Sequence, residues 1–272
     1  MGKGFRINQS RGIKYLELLL PKKGICRGYF STREGGISTN PYGSLNLGFH
    51  VGDDGDRVLT NRELFLRSVG VPPEMVVVPE QVHGSNIVNV CKTHGGKGVF
   101  QMNDAVRGAD ALITKEPGVV LAALYADCVP IYIVDLENKG IGLAHAGWRG
   151  TIQNIAGKML NKMEVDFGTV GDDCIAYIGP SIGFCCYEVG SDTAQDFVSL
   201  FPYDDNIYKE KTKGKYYVNL KEANAKILVD SGIDSRRIFV CDLCTSCSEE
   251  LFFSYRRDGG KTGRMAALLG LQ

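Results

Sequence analysis

The sequence predicts an α/β fold: a single domain spanning residues 1–272 in which mixed β-sheet layers are covered by helices. Three observations lead there. Between residues 75 and 147, short β-branched runs follow one another, separated by Gly, Pro and Asn, which is the pattern of successive strands. Runs such as 119–125 and 131–134 are apolar or aromatic throughout rather than alternating, as strands buried on both faces are. Helical periodicity appears at 56–69 and again after residue 151, and no repeat, low-complexity tract or linker divides the chain.

In order, a strand is expected at 15–20, followed by a Gly- and Ser-rich loop at 31–38. A helix at 56–69 would bury Val58, Leu59, Leu64, Phe65 and Val69. Strands follow at 75–78, 87–90, 111–114, 119–125, 131–134 and 141–144. From about residue 151, Ile152, Ile155, Ala156, Met159, Leu160 and Met163 recur at helical spacing, the methionines serving as core filler. The remainder reads as a strand at 175–178, a helix at 192–201, a strand at 216–218, a helix at 221–229, and strands at 238–240 and 265–269.

Thirty-one basic and thirty-one acidic side chains cancel, with no long run of either sign, which argues against a nucleic-acid or anionic-membrane partner and for a small molecule. Arg6 stands where a myristoylation signal needs Ser or Thr, and no apolar run reaches membrane-spanning length, so a cytoplasmic protein is expected, as a monomer or homodimer. Nine cysteines in a chain too large to need staples point to reduced thiols and metal ligation rather than a disulfide framework.

Chemistry concentrates in three segments: Glu80-Gln81-Val82-His83-Gly84, Ala126-Asp127-Cys128-Val129-Pro130 and Ala144-His145-Ala146-Gly147-Trp148-Arg149-Gly150. His, Cys and Asp at the ends of buried strands are costly unless paired, and two imidazoles with a thiol suit a zinc ion. His83, Cys128 and His145 are therefore the expected metal ligands, a three-donor set with an open fourth position. Taken singly, each also fits a satisfied core residue. The segment 252–264 gathers Arg256, Arg257 and Arg264 with Phe252, Phe253 and Tyr255, a composition that suits phosphate or carboxylate beside a planar ring. It equally fits a solvated loop whose arginines pair with Asp258 and Glu249 or Glu250.

Other motifs fail on their own terms. Gly179-Pro180-Ser181-Ile182-Gly183 matches a nucleophile elbow, but all four histidines precede Ser181, against the hydrolase order. Gly260-Lys261-Thr262 lacks the first P-loop glycine, where Tyr255 stands. Cys241, Cys244 and Cys247 have iron–sulfur spacing without a fourth Cys or Pro nearby. The adjacent Cys185 and Cys186 read as two buried thiols.

Gln81-Val82-His83-Gly84, Ala126-Asp127-Cys128-Val129-Pro130, His145-Ala146-Gly147-Trp148-Arg149-Gly150, Ile178-Gly179-Pro180, Phe253-Ser254-Tyr255-Arg256-Arg257-Asp258 and Thr262-Gly263-Arg264, with Ser44-Leu45-Asn46-Leu47-Gly48 and Asn61-Arg62 upstream, resemble the YfiH/YlmD family. This is the group related to human laccase domain-containing protein 1 and long labelled multicopper polyphenol oxidase, and the match runs in order from about residue 31 to the C-terminus. The resemblance implies one α/β domain with a fold like that of deamidating toxins of the cytotoxic-necrotizing-factor type, and one zinc per chain on His83, Cys128 and His145. It also implies phosphorolysis of adenosine, inosine, guanosine and S-methyl-5′-thioadenosine, with adenosine deamination. Asp127, Cys128 and His145 become the expected catalytic residues, and Asn46, Arg62, Gln81, Arg149 and Arg257 the expected contacts to nucleoside and phosphate. Cys244-Thr245 belongs to the pattern whereas Cys241 and Cys247 do not, so Cys241→Ser and Cys247→Ser are expected to be nearly silent. Two rivals use the same residues: a copper-dependent phenol oxidase, disfavoured because four histidines are few for it, and a metal-free amidase with Cys128 as nucleophile and His145 as base.

Overall fold

The structure, a computed structural model, describes residues 4–21 and 24–272. Its elements are β1 (Phe5–Ser10), β2 (Ile13–Leu18), β3 (Cys26–Ser31), helix α1 (Gly55–Val69), β4 (Val76–Val77), β5 (Ile87–Asn89), β6 (Ala111–Thr114), β7 (Val120–Tyr125), β8 (Val129–Asp135) and β9 (Ile141–Ala146). Helices α2 (Trp148–Ile152) and α3 (Ile155–Phe167) come next, then β10 (Cys174–Ile178), β11 (Glu188–Gly190), α4 (Ser191–Leu200), β12 (Tyr208–Thr212), β13 (Lys215–Val218), α5 (Leu220–Asp230), β14 (Ile238–Val240) and β15 (Met265–Leu271). One six-stranded sheet has the order β1-β2-β3-β15-β7-β4, a second has β14-β10-β8-β9-β6-β5, and β11-β13-β12 form a small third. Both large sheets are mixed, because β4 runs parallel to β7, β5 to β6 and β10 to β14 while the other pairs are antiparallel.

The two large sheets stack face to face, which explains why central strands such as β7 are apolar at every position. In β7, Leu121, Ala123 and Tyr125 enter a core shared with Tyr132, Val134, Ile141 and Leu143 of the second sheet. The alternate residues Val120, Ala122 and Leu124 enter a core shared with Phe65, Leu66 and Val69 of α1. In β8, Val129, Ile131 and Ile133 point the other way, onto Ile155, Met159 and Met163 of α3 and Leu228 of α5. The period of two thus sorts each strand between two cores, giving helix, sheet, sheet and helix layers. Leu121 and Ile131 are fully buried, so truncating either to Ala should cost about 2–5 kcal/mol.

The sequence reading missed β1, β3, β11 and the exposed β12. β1 and β2 join through Arg11 and Gly12, both at positive φ (51° and 82°), a hairpin turn whose Arg offers no Asn-Gly signal. Gly28 interrupts β3 in sequence because Leu18 packs over it: a Cβ there would stand 2.6 Å from the Leu18 side chain. The single helix expected from residue 151 is two, broken at left-handed Asn154, whose side chain accepts the Gly157 N–H and caps α3. Among the described residues no helix is long and apolar enough to cross a membrane.

Candidate functional site

The chain passes from the first sheet to the second twice near one end of the sandwich, between β4 and β5 and between β7 and β8. His83 lies on the first crossing and Cys128 on the second. His145 lies inside β9 rather than just beyond it, opposite Pro130 of β8. Sheet topology therefore brings together three residues that are far apart in sequence, and their ligating atoms all lie within 4.8 Å of one another. The segments are held in strained backbone: Gln81, His83 and Asp127 adopt φ of 60°, 59° and 85°, three of the seven non-glycine positive-φ residues among those described. Gly147 completes the cradle, since a Cβ there would come within 3.1 Å of Cys128 Sγ and 3.3 Å of His83 Nδ1.

Asp110 organises the two histidines. Fully buried, it accepts the backbone N–H groups of His83 (3.0 Å) and Gly84 (2.7 Å), and its Oδ1 lies 3.1 Å from His145 Nδ1. Burial raises its pKa, but the His145 ring and those N–H donors prevail and hold the carboxyl below its usual range. A carboxylate on Nδ1 leaves Nε2 of His145 for a metal or a proton, the common arrangement behind ligating histidines. Burial pushes the Cys128 thiol up, yet the adjacent His145 and His83 bring it down to about 6. His145 moves the opposite way: burial disfavours its charge, but Cys128 and Asp110 carry it up to about 9. Sequence reasoning missed Asp110; its signal is a charged residue opening a strand, Ala111–Thr114, that is buried throughout.

His83, Cys128 and His145 line a cavity of about 730 Å³ whose wall also includes His50, Gln81, Asp127, Trp148, Arg149, Tyr187, Tyr255, Arg256 and Arg264. That volume suits a small-molecule ligand. Of the expected contacts, Gln81 and Arg149 reach the wall, and Asn46, Arg62 and Arg257 do not. Arg62 is 6% exposed, hydrogen-bonds the carbonyls of Leu47, Gly98 and Val99, and stacks on Phe49 at 4.4 Å. Its guanidinium ties loops together and stays off the cavity wall. Arg257 is likewise occupied, by Asp258 and the carbonyls of Thr245, Ser246 and Phe252. Asn46 accepts the backbone N–H of Arg264 (2.9 Å) and so positions an arginine that does reach the cavity. Gln81 uses both ends of its amide on the Leu124 backbone, pairing there as a strand would.

Asp127, expected to be catalytic, lies on the cavity wall with its carboxylate already engaged: it accepts from Thr245 Oγ1 (2.6 Å), Ser254 Oγ (3.1 Å) and the Arg256 N–H (2.7 Å), tying its own loop to two others. Arg149 differs from the other arginines. It is exposed, stacks over Trp148 at 4.3 Å, and among the described residues its guanidinium has no carboxylate or carbonyl partner. Ser181 is fully buried, which excludes it as an exposed nucleophile.

Residues 27–272 match the family model described as "Multi-copper polyphenol oxidoreductase laccase". The chain belongs to this family. Among its relatives is purine nucleoside phosphorylase YlmD of Geobacillus stearothermophilus, 44% identical over 88% of each chain. The crystal structure of YlmD from that organism superposes with a TM-score of 0.93 at 41% identity, covering 98% of both chains. Adenosine deaminase RL5, from an unknown prokaryotic organism, is 35% identical over 86% of this chain and 90% of its own. Members of a laccase-like family invite a metal, and in this chain two imidazoles and a lowered thiol converge on a glycine-lined gap with a carboxylate behind one imidazole, a donor set that fits a single ion.

Proposed function

We propose that the protein is a zinc-dependent purine nucleoside phosphorylase, acting on adenosine, inosine, guanosine and S-methyl-5′-thioadenosine, that also deaminates adenosine in the same cavity. The observation that carries the reading is the meeting of a three-donor N, N, S site with an unpartnered arginine and aromatic faces in one cavity. The relatives named for these two activities support it. In phosphorolysis a phosphate oxygen forms a bond to C1′ as the C1′–N9 bond breaks, so the anion needs cations and the departing purine needs a proton or a Lewis acid. His83, Cys128 and His145 would hold the zinc, which would supply Lewis-acid activation in the cavity. Arg149 holds phosphate, with Arg264 and Arg256 beside it, while Trp148, Tyr187 and Tyr255 offer faces to the purine. Asp127 and Asp110 act as positioning residues, the first for the arginine-bearing C-terminal segment, the second for the two histidines.

The test is chromatography of inosine and adenosine incubated with and without phosphate. Inosine should yield hypoxanthine and ribose 1-phosphate in equal amounts only with phosphate, and adenosine should yield adenine and, independently of phosphate, inosine. Cleavage indifferent to phosphate would mark a hydrolase. Oxygen-dependent phenol oxidation by copper-loaded protein, or amide hydrolysis surviving chelation, with nucleosides untouched, would move the assignment to the corresponding rival.

A further inference from the structure

A second cluster lies outside the cavity. Parallel strands β10 and β14 pair Ile178 with Val240, so the segments that follow them leave the sheet side by side. They stay paired: Cys241 N–H donates to Ile178 O (2.8 Å), Thr245 N–H donates to Ser181 O (3.0 Å), and Ser181 bridges Cys244. This brings Cys185 and Cys186 of one segment against Cys244 and Cys247 of the other. All four sulfurs lie within 4.8 Å of one another, with Cys186 to Cys247 at 3.4 Å and Cys185 to Cys247 at 3.6 Å. Four unbridged thiols gathered within 4.8 Å of one another are the donor set of a tetrathiolate metal site.

We propose that Cys185, Cys186, Cys244 and Cys247 form a second metal site, a closed tetrahedral shell for one thiophilic ion, zinc, separate from the His83, Cys128 and His145 centre. Zinc–sulfur bonds of about 2.3 Å place tetrahedral sulfurs roughly 3.8 Å apart, close to the 3.4 and 3.6 Å contacts here. A multi-iron cluster distributes its cysteines over several iron atoms and needs a wider shell. The backbone is shaped for sulfur: Gly183 N–H donates to Cys244 Sγ (3.1 Å), and a Cβ on Gly183 would come within 3.1 Å of Cys185 Sγ and 3.3 Å of Cys244 Sγ. Lys221, 6% exposed, places Nζ 2.7 Å from the carbonyls of Cys241 and Leu243, setting a buried cation beside a shell that would carry net negative charge. On binding, the thiols release their protons to solvent and four zinc–sulfur bonds form; nothing is oxidised. With four protein donors the site has no open position, so its role is structural. It would fasten the segment carrying Ile182 and Tyr187, both on the cavity wall, to the turn whose Thr245 holds Asp127.

The proposal is independent of the nucleoside reading and is tested on the full chain, purified under reducing conditions, by elemental analysis. The wild type should hold two zinc ions, the His83→Ala/His145→Ala variant one, and that variant with Cys185→Ser and Cys247→Ser added, none. Cys241→Ser, outside the shell, should keep both. Cobalt(II) loaded into His83→Ala/His145→Ala should show intense tetrahedral thiolate absorption, lost on adding Cys185→Ser and Cys247→Ser. Because Cys185 and Cys247 are exposed, those replacements should fold, which circular dichroism checks. One zinc in the wild type with none in His83→Ala/His145→Ala, metal content unmoved by the cysteine replacements, acid-labile sulfide with several irons, or a disulfide among these four cysteines in alkylated peptides would each overturn it.

Discussion

The two thiol-bearing clusters use the same donor chemistry to opposite ends. His83, Cys128 and His145 face a cavity, and among the described residues they form a group of three candidate ligands there. Cys185, Cys186, Cys244 and Cys247 sit toward the surface and supply four. The supporting shells differ in kind as well. Behind the first stands a buried carboxylate, Asp110, which tunes an imidazole and orients it; beside the second stand a backbone N–H from Gly183, which satisfies a sulfur, and the buried ammonium of Lys221. Ligand number, and a carboxylate that orients an imidazole, separate a site built to react from one built to hold. The arginines repeat the lesson, since Arg62 is held by three carbonyls and Arg149, on the cavity wall, has no carboxylate or carbonyl partner among the described residues.

The sharpest way to break this comparison is to remove one cavity ligand. Cys128→Ala, His83→Ala and His145→Ala should each lower nucleoside turnover by at least about 100-fold and release one zinc, with circular dichroism unchanged. Full activity in a Cys128→Ala protein that has lost that zinc would falsify the catalytic role.

The arginine contrast should divide stability from kinetics. Arg62→Ala leaves buried carbonyls without donors and should cost about 2–4 kcal/mol in denaturant unfolding. Arg149→Ala should shift unfolding by no more than about 0.5 kcal/mol while raising the KM for phosphate about tenfold and sparing deamination. A phosphate KM unmoved by Arg149→Ala would return the anion site to Arg256 and Arg264.

The smallest effect is a titration. In metal-stripped protein, Cys128 is a thiolate above about pH 6, and as pH falls through that value it takes up a proton and becomes a poor nucleophile. Its iodoacetamide alkylation, followed by peptide mass spectrometry, should therefore show a midpoint near pH 6, below that of an ordinary thiol, and zinc should suppress it. His145→Ala should move the midpoint upward, because the imidazolium, raised to about 9 in the folded protein, is what favours the thiolate across this range. An unchanged midpoint would assign the lowering to another cause.

Much of this protein could be read locally. The periodicities that marked α1, β6, β7, β8 and β9 depend on neighbouring residues alone, and their boundaries agree with the structure to within about two residues. The chemistry of His83, Cys128 and His145 was also visible, because imidazoles and a thiol in strand-rich sequence need a partner wherever the strands go. The tertiary structure decided what depends on pairing between distant segments. Strand order carried His83 and Cys128 to the same end of the sandwich, put Asp110 behind His145, and let β10 and β14 lay Cys185 and Cys186 against Cys244 and Cys247. It also divided the arginines, taking Arg62 and Arg257 into backbone carbonyls and leaving Arg149 at the cavity. Composition determines which groups must find partners, but a side chain's partner is chosen by the register and stacking of strands, and those are settled only when the whole chain folds.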